Sequence, residues 1–508
     1  MSDFILNIKE DKKFVSLWNS FTKFIYNLFV IKKLSSPVGF IVLIVISSIF
    51  VLMMIKSGHK TGFAIIAGLV GGPLVVASLF NQKFGVTMML ILAFFLLGTK
   101  RFVFQMAHAD VPLGVAMDLM VVVMIFGLFV RQIKERDWSF AKNQITFFVA
   151  IWILYNILQV ANPTAVSRAA WAYTVRSFAG IMLMYFIFAY TIDNIKFLER
   201  LILIWISITV LAAIWGFVQE KFGYMGWEMQ DIVDNERIQL YYIAGHWRKF
   251  SFFSDPMMFG IIMSYSGILC LTLISGPFKK SIKIVLLIIG LFMFNVMLYS
   301  GTRAAYVLPM ASLAIYLMLK LNAKIIVGGI IMIVLFLVFL NMPSGDPNIR
   351  RFQTAFKPGD DASYQVREKN QAYIKPFIHS HPLGGGLGST GVWGERFSPN
   401  SMLAKFPPDS GYVRIAVEAG WVGLMIYLGL LFVSLKTGIK SYFRLKDPKV
   451  KVYLLSMLTV LFALVVANFP QEAISQYPTN LVFFMILAII NNAKKLERPE
   501  YKLHKEVT

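Results

Sequence analysis

Cysteine is almost missing from this chain: there is one, Cys270, in 508 residues. That excludes an intramolecular disulfide and a thiolate metal cluster. Histidine is scarce too, with six residues at 59, 108, 246, 379, 381 and 504 and no HxxxH spacing. No ligand set for a metal is visible, and no cofactor is implied. Charged residues make up 15% of the chain, against about 25% in an ordinary soluble domain, so a soluble enzyme with a tail is ruled out. Acidic residues are the scarcer sign, 27 against 49 basic ones. No internal repeat, low-complexity tract or cleavable signal peptide is evident: the first long apolar run starts only near Pro37, after a charged segment.

Apolar residues are what the chain has in excess. They account for 57% of it and come in blocks of 17–24, the length needed to cross a hydrocarbon layer about 30 Å thick. The expected fold is all-α: a polytopic integral membrane protein with about fourteen transmembrane helices. The blocks run over 37–55, 62–80, 84–100, 111–130, 144–161, 170–192, 199–218, 256–275, 282–299, 303–320, 324–341, 412–435, 451–469 and 478–492. Before them, residues 12–33 place Phe14, Trp18, Phe21, Ile25 and Leu28 at helical spacing among lysines, the pattern of a helix lying on a membrane surface.

The net charge of +22 belongs in cytoplasmic loops rather than on a nucleic-acid-binding face. Basic loops at 131–142, 196–200, 279–283, 320–324, 436–451 and 494–505 then fall on one side, while Lys56, Lys60 and Lys100-Arg101 break the pattern. The resulting organisation is a cytoplasmic segment 1–36, transmembrane helices 37–218, an outer loop 219–255, central helices 256–341, a large periplasmic loop 342–411, C-terminal helices 412–492 and a cytoplasmic tail 493–508. The 342–411 loop is far longer than an ordinary connection, and such loops are usually functional.

The outer side collects arginines: 168, 176, 237, 248, 303, 350, 351, 367, 396 and 414. Translocation of long loops regardless of charge covers part of this set. Arg176 and Arg303 lie within or at the lip of apolar spans, where an ionisable group marks a pathway or site. Asp118 lies at a similar depth to Arg176, and the two are expected to form an ion pair that shapes a cavity. Arg303 follows a tight turn, Ser300-Gly301-Thr302, and Arg248 opens RKFSFFSDPMMFG, where Asp255-Pro256 reads as a cap plus first-turn proline. Each arginine could be a snorkelling anchor or a forked phosphate ligand. HSHPLGGGLGST (379–390) has four glycines in five positions, which suits either a phosphate cradle or close packing of the loop on the bundle. Asp409, before Ser410-Gly411-Tyr412, could be a helix N-cap or a general base.

Taken in order, RKFSFFSDPMMFG, SGTRAAYV, a long loop with an arginine in VREKNQAYIKPFIHSHP, HPLGGGLGS and DSGYVRIAVEAGWVGL resemble the O-antigen ligase and polymerase superfamily. The resemblance covers about residues 240–435. It implies a metal-independent, C-type membrane glycosyltransferase that moves a glycan from an undecaprenyl-diphosphate carrier to an acceptor hydroxyl at the outer face of the bacterial inner membrane. By analogy Arg248, Arg303 and Arg367 contact the donor diphosphate. Arg303 and Arg367 join Asp409 as the catalytic candidates, while Arg248, Arg176, His381 and Tyr412 are candidates for substrate binding. Where the ligase branch carries a His-Asn or His-Ser pair, this chain has Asp409-Ser410, which looks more like the polymerase branch.

The expected function is therefore polymerisation of lipid-linked repeat units of O-antigen, capsule or exopolysaccharide. The alternatives are a ligase passing glycan to lipid A core or protein, and a polysaccharide flippase. Fourteen spans suit a flippase, but its repeated halves with interrupted midplane helices are not visible here. The expected partners are the lipid-linked donor, a glycan acceptor and membrane lipid, with a flippase or chain-length regulator as possible associates, and no nucleic acid.

Overall fold

The structure, a computed structural model, describes residues 59–108, 113–243, 245–320, 323–345 and 362–497, together with 44, 48, 352, 353 and 356. The expected surface helix at 12–33, most of the first span at 37–55, the tail beyond 497, and Arg350 and Arg351 lie outside the described residues. Two compact units are present, one of residues 1–72 with 107–109 and one of 73–106 with 110–508. The first holds the start of helix α1 (His59–Phe80); the functional candidates all lie in the second.

Nearly everything described is helical. α2 (Gln82–Ala107), α3 (Leu113–Glu135) and α4 (Gln144–Leu158) are followed by α5 (Arg168–Val175), which passes through a wide turn at Arg176–Gly180 into α6 (Ile181–Thr191). α7 (Ile195–Phe222) leads into a connection holding α8 (Gly226–Asp234), α9 (Ile238–Tyr241) and a two-stranded ribbon, β1 (Tyr242–Ile243) against β2 (His246–Trp247). Then come α10 (Pro256–Leu273), α11 (Lys280–Tyr299), α12 (Arg303–Lys320) and α13 (Ala323–Asn341). The long connection carries α14 (Ala362–Ser380) and α15 (Gly391–Phe397). α16 (Gly411–Glu418), α17 (Gly420–Arg444), α18 (Pro448–Ala467) and α19 (Thr479–Asn492) complete the chain.

Among the described residues, nine helices are long and apolar enough to cross a membrane, each falling on one of the blocks expected from the sequence. The blocks at 62–80, 303–320, 324–341 and 478–492 are helical as well, but shorter in their apolar stretch or more polar. The protein is an all-α polytopic membrane protein. Side chains such as Val122, Phe126, Leu203, Ile288 and Phe432 are exposed on helix flanks, as lipid-facing positions require.

The sequence writes its helix starts plainly. Asn143, Asn194 and Asp255 accept from the amides of Thr146, Phe197 and Met258 at 2.8–3.0 Å, satisfying donors that a helix cannot satisfy itself. Pro256 follows Asp255 at the first helical position, as expected. α10 is buried along almost its whole length and packs on α11, α12 and α18. Gly260 allows part of that approach: a Cβ there would come within 2.4 Å of Ser300 Oγ.

The bundle has two unlike ends. One carries Lys83 paired with Asp193 at 2.7 Å, Lys449 paired with Glu199, and Tyr190 donating to Glu135 at 2.8 Å, together with the basic loops. The opposite end receives the residues singled out as candidates.

Candidate active site at one end of the bundle

The 219–255 connection is a folded platform. Tyr241, Phe250 and Ile232 form a small buried core with Tyr224 and Trp247 against it. Glu228, wholly buried, accepts from Trp215 Nε1 at 3.0 Å and Gln219 Nε2 at 2.8 Å. Gln219 Oε1 in turn accepts from the Ser251 amide at 2.8 Å. Burial holds the Lys249 ammonium below its ordinary range while Glu220, 3.5 Å away, opposes that shift.

Arg248 projects from this platform to the turn before α12. Its Nε donates to Ser300 O at 2.9 Å, its Nη1 to Leu240 O at 3.0 Å and its Nη2 to Thr302 Oγ1 at 3.1 Å. Thr302 Oγ1 donates to Pro256 O at 2.9 Å, and Gly301 takes φ +58°, a left-handed turn conformation that glycine adopts without strain. Arg303, half-buried, is the first residue of α12. Arg248 and Arg303 are thus brought to one turn, with Arg248 spending two donors on the turn that launches Arg303 and a third on Leu240 O of the platform.

Arg176 and Asp118 form the expected ion pair, Nη1 to Oδ2 at 3.5 Å, both partly exposed. Arg101, which broke the basic-loop pattern, is buried; its Nε lies 2.8 Å from Asp231 Oδ2 and its Nη2 donates to Ser254 O at 2.8 Å. It is a strut between α2 and the platform, paired and hydrogen-bonded as a buried charge must be.

The glycine-rich motif packs on the bundle. The amides of Gly385 and Gly386 donate to Val417 O and Glu418 O at 2.8 and 2.9 Å, and that of Gly388 to Glu418 Oε2 at 3.1 Å. Gly384 and Gly420 have φ +74° and +71°, and a Cβ on Gly420 would meet Pro382 O at 2.0 Å. Of the two readings of this motif, close packing is the one observed for these three amides. Ahead of it, Arg367 is half-buried on α14, and His381 stacks on Phe377 with ring centroids 4.0 Å apart.

Asp409 is exposed, and Ser410 is the N-cap of α16, its side chain accepting from the Val413 amide. The cap reading of Asp409 is therefore corrected: the hydroxyl one residue later occupies that position. Tyr412 donates to Val465 O at 2.8 Å and is half-buried.

Sequence reasoning missed the connection between α18 and α19, residues 468–478. Asn468 O and Gln471 O accept from the Gly411 amide. Glu472 Oε2 lies 2.6 Å from Arg414 Nη1, while Arg414 Nε donates to the buried Glu418 at 3.1 Å. Gln476 Oε1 accepts from Ser254 Oγ at 3.2 Å. Burial raises the Tyr477 phenol, Asp118 adding to the shift and Arg176 opposing it. This short segment therefore meets α16 and the platform, and its Tyr477 feels the charges of the Asp118–Arg176 pair. Its signal was an acid in PQEAISQYP at the lip of two apolar blocks.

Glu472 and Arg414 line a mainly apolar pocket with Trp152, Phe178, Met182 and Phe483. Burial raises the Glu472 carboxyl above its ordinary range; Arg414 works against that rise and Glu418 adds to it.

Residues 288–428 match the family described as O-Antigen ligase. That stretch holds Arg303, Arg367, His381, Asp409, Tyr412, Arg414 and Glu418, and leaves out Arg176, Arg248 and Glu472. The chain is also 30% identical over 196 residues to an O-antigen polymerase from Salmonella muenchen, a match covering 36% of this chain and 46% of that protein. The chain thus spans less than half the length of this curated relative. Both matches support the similarity of this chain to the O-antigen ligase and polymerase superfamily.

Proposed function

We propose that this protein is a metal-independent, C-type glycosyltransferase that polymerises undecaprenyl-diphosphate-linked oligosaccharide repeat units at the outer face of the bacterial inner membrane. The observation that carries the reading is the braced turn at Ser300–Thr302. Arg248 and Thr302 tie it to the platform and to α10, so the Arg303 guanidinium starts from a fixed backbone. Preorganised donors of this kind stabilise charge that develops on a leaving group, and removal of one costs about 2.7–4 kcal/mol in other enzymes.

In this reading Arg303 and Arg367 take the departing diphosphate, and Arg248 serves chiefly by holding the turn. Asp409, exposed two residues before the anchored Gly411, engages the acceptor sugar. Arg176, His381 and Tyr412 line the approach. The basic loops gather at the opposite end, which supports a periplasmic location for this one. The ligase reading draws support from the family description, and the polymerase reading from the relative's name and from Asp409 where ligases place a histidine. The test is deletion of the gene followed by electrophoresis of the surface glycan. A single-repeat product is expected. Lipid-linked polymer left unattached would replace this reading with ligase, and absence of glycan from the surface would replace it with flippase.

A further inference from the structure

We propose that Glu472 is the group that takes the proton from the acceptor hydroxyl, which reaches it at the mouth of the small pocket Glu472 shares with Arg414. This inference rests on the glycosyltransferase reading and adds to it a residue outside the matched segment 288–428.

Three observations converge on Glu472. It is the acid on a connection that touches α16 and the platform and whose Tyr477 lies in the electrostatic field of the Asp118–Arg176 pair. It lines the pocket between α4, α6, α16, α17 and α19, with polar neighbours Asn468, Ser475 and Asn480 on an otherwise apolar wall. The cavity is about 50 Å³, room for a hydroxyl-sized group beside the carboxylate. Third, its counter-charge is shared. Arg414 lies between Glu418, whose carboxylate also accepts from Gly388 and Thr390, and Glu472. Two carboxylates and one guanidinium leave the group with one net negative charge, so a proton added at Glu472 neutralises it. Burial favours that outcome, and the raised Glu472 carboxyl agrees in direction.

Glu418 is a poor candidate for the same role, because its oxygens are bound by Gly388, Thr390 and Arg414 and it is 2% exposed, against 17% for Glu472. In the step itself, the acceptor oxygen forms a bond to the anomeric carbon while its O–H bond breaks toward Glu472. The anomeric C–O bond to the diphosphate breaks with its electron pair leaving on the diphosphate. Glu472 afterwards returns its proton to solvent. No oxidant, reductant or metal enters the balance.

The test uses the full-length protein in lipid nanodiscs with an undecaprenyl-diphosphate-linked repeat unit as donor and acceptor. Glu472→Gln keeps an oxygen for Arg414 and the shape of the side chain, but cannot accept the proton. It should lower kcat about 10²–10⁴-fold, the span general bases contribute, with KM within threefold of wild type and the loss persisting when rates are taken per folded protein well below the melting temperature. Glu472→Ala should be as slow, and sodium formate, small enough to enter the vacated space, should restore part of its turnover. A residue that only supports the fold would lose stability or KM and show no formate rescue. A Glu472→Gln enzyme with kcat near wild type, or a loss tracking only the unfolded fraction, overturns the inference and leaves the proposed function standing. Wild-type protein that transfers no glycan overturns both.

Discussion

The contact between the glycine-rich loop and α16 allows a magnitude to be set. Glu418, 2% exposed, accepts from Thr390 Oγ1 at 2.5 Å, Gly388 N at 3.1 Å and Arg414 Nε at 3.1 Å. Glu418→Ala removes every one of these acceptors at once. Breaking a buried ion pair costs about 3–5 kcal/mol, and each stranded neutral donor adds up to about 1–3 kcal/mol before relaxation. Arg414 keeps Glu472, and the loop can admit water, so the expected net loss is about 3–5 kcal/mol, a large part of a typical stability of about 5–15 kcal/mol. Glu418→Gln retains one oxygen and should lose about half as much. The assay is thermal unfolding of purified protein in one detergent, with protease cutting at Arg396 and Lys405 as a readout of loop release. Glu418→Ala that melts with wild type and resists cleavage equally would refute this account of the loop.

Gly384→Ala combines φ +74° with a Cβ 2.4 Å from Gly420 N, and should release the same loop and abolish long glycan chains, whereas Gly226→Ala, with open space around it, should leave chain length normal on the same gel. If Arg303 and Arg367 grip a diphosphate as planar forks, Arg→Lys at either position should be nearly as damaging as Arg→Ala at matched protein levels, because lysine keeps the charge and loses the fork; polymer at near-normal yield from the lysine variants would reduce both to diffuse charge. A cysteine placed at Ser398, with Cys270 replaced, should react with an impermeant maleimide in intact cells, and reaction only after lysis would invert the assigned orientation.

Local patterns carried most of the fold. Block length marked the spans, and residues adjacent in sequence wrote the Asp255-Pro256 helix start and the Gly301 turn. The Asp118–Arg176 pair was legible because burial depth in a membrane can be counted from helix rise. What stayed hidden depends on partners distant along the chain. Arg101 finds Asp231 across an intervening set of helices, so in sequence it only looked like a misplaced positive charge. The glycine motif was ambiguous because glycine permits a close approach without naming what approaches; Glu418 decided it. Asp409 and Ser410 both suit an N-cap by type, and the backbone selected the serine. Glu472 sits in a short connection with no motif of its own, and its place beside Arg414 follows from α16 and α18 converging, which no local spacing encodes.

The most direct test of the central claim is reconstitution of the purified protein in vesicles with a single substrate, an undecaprenyl-diphosphate-linked repeat unit, followed by electrophoresis of the lipid-linked products. A polymerase predicts a ladder of lengthening glycans, lost with Arg303→Ala. Products that never exceed one repeat unless a lipid A core or protein acceptor is supplied would contradict it.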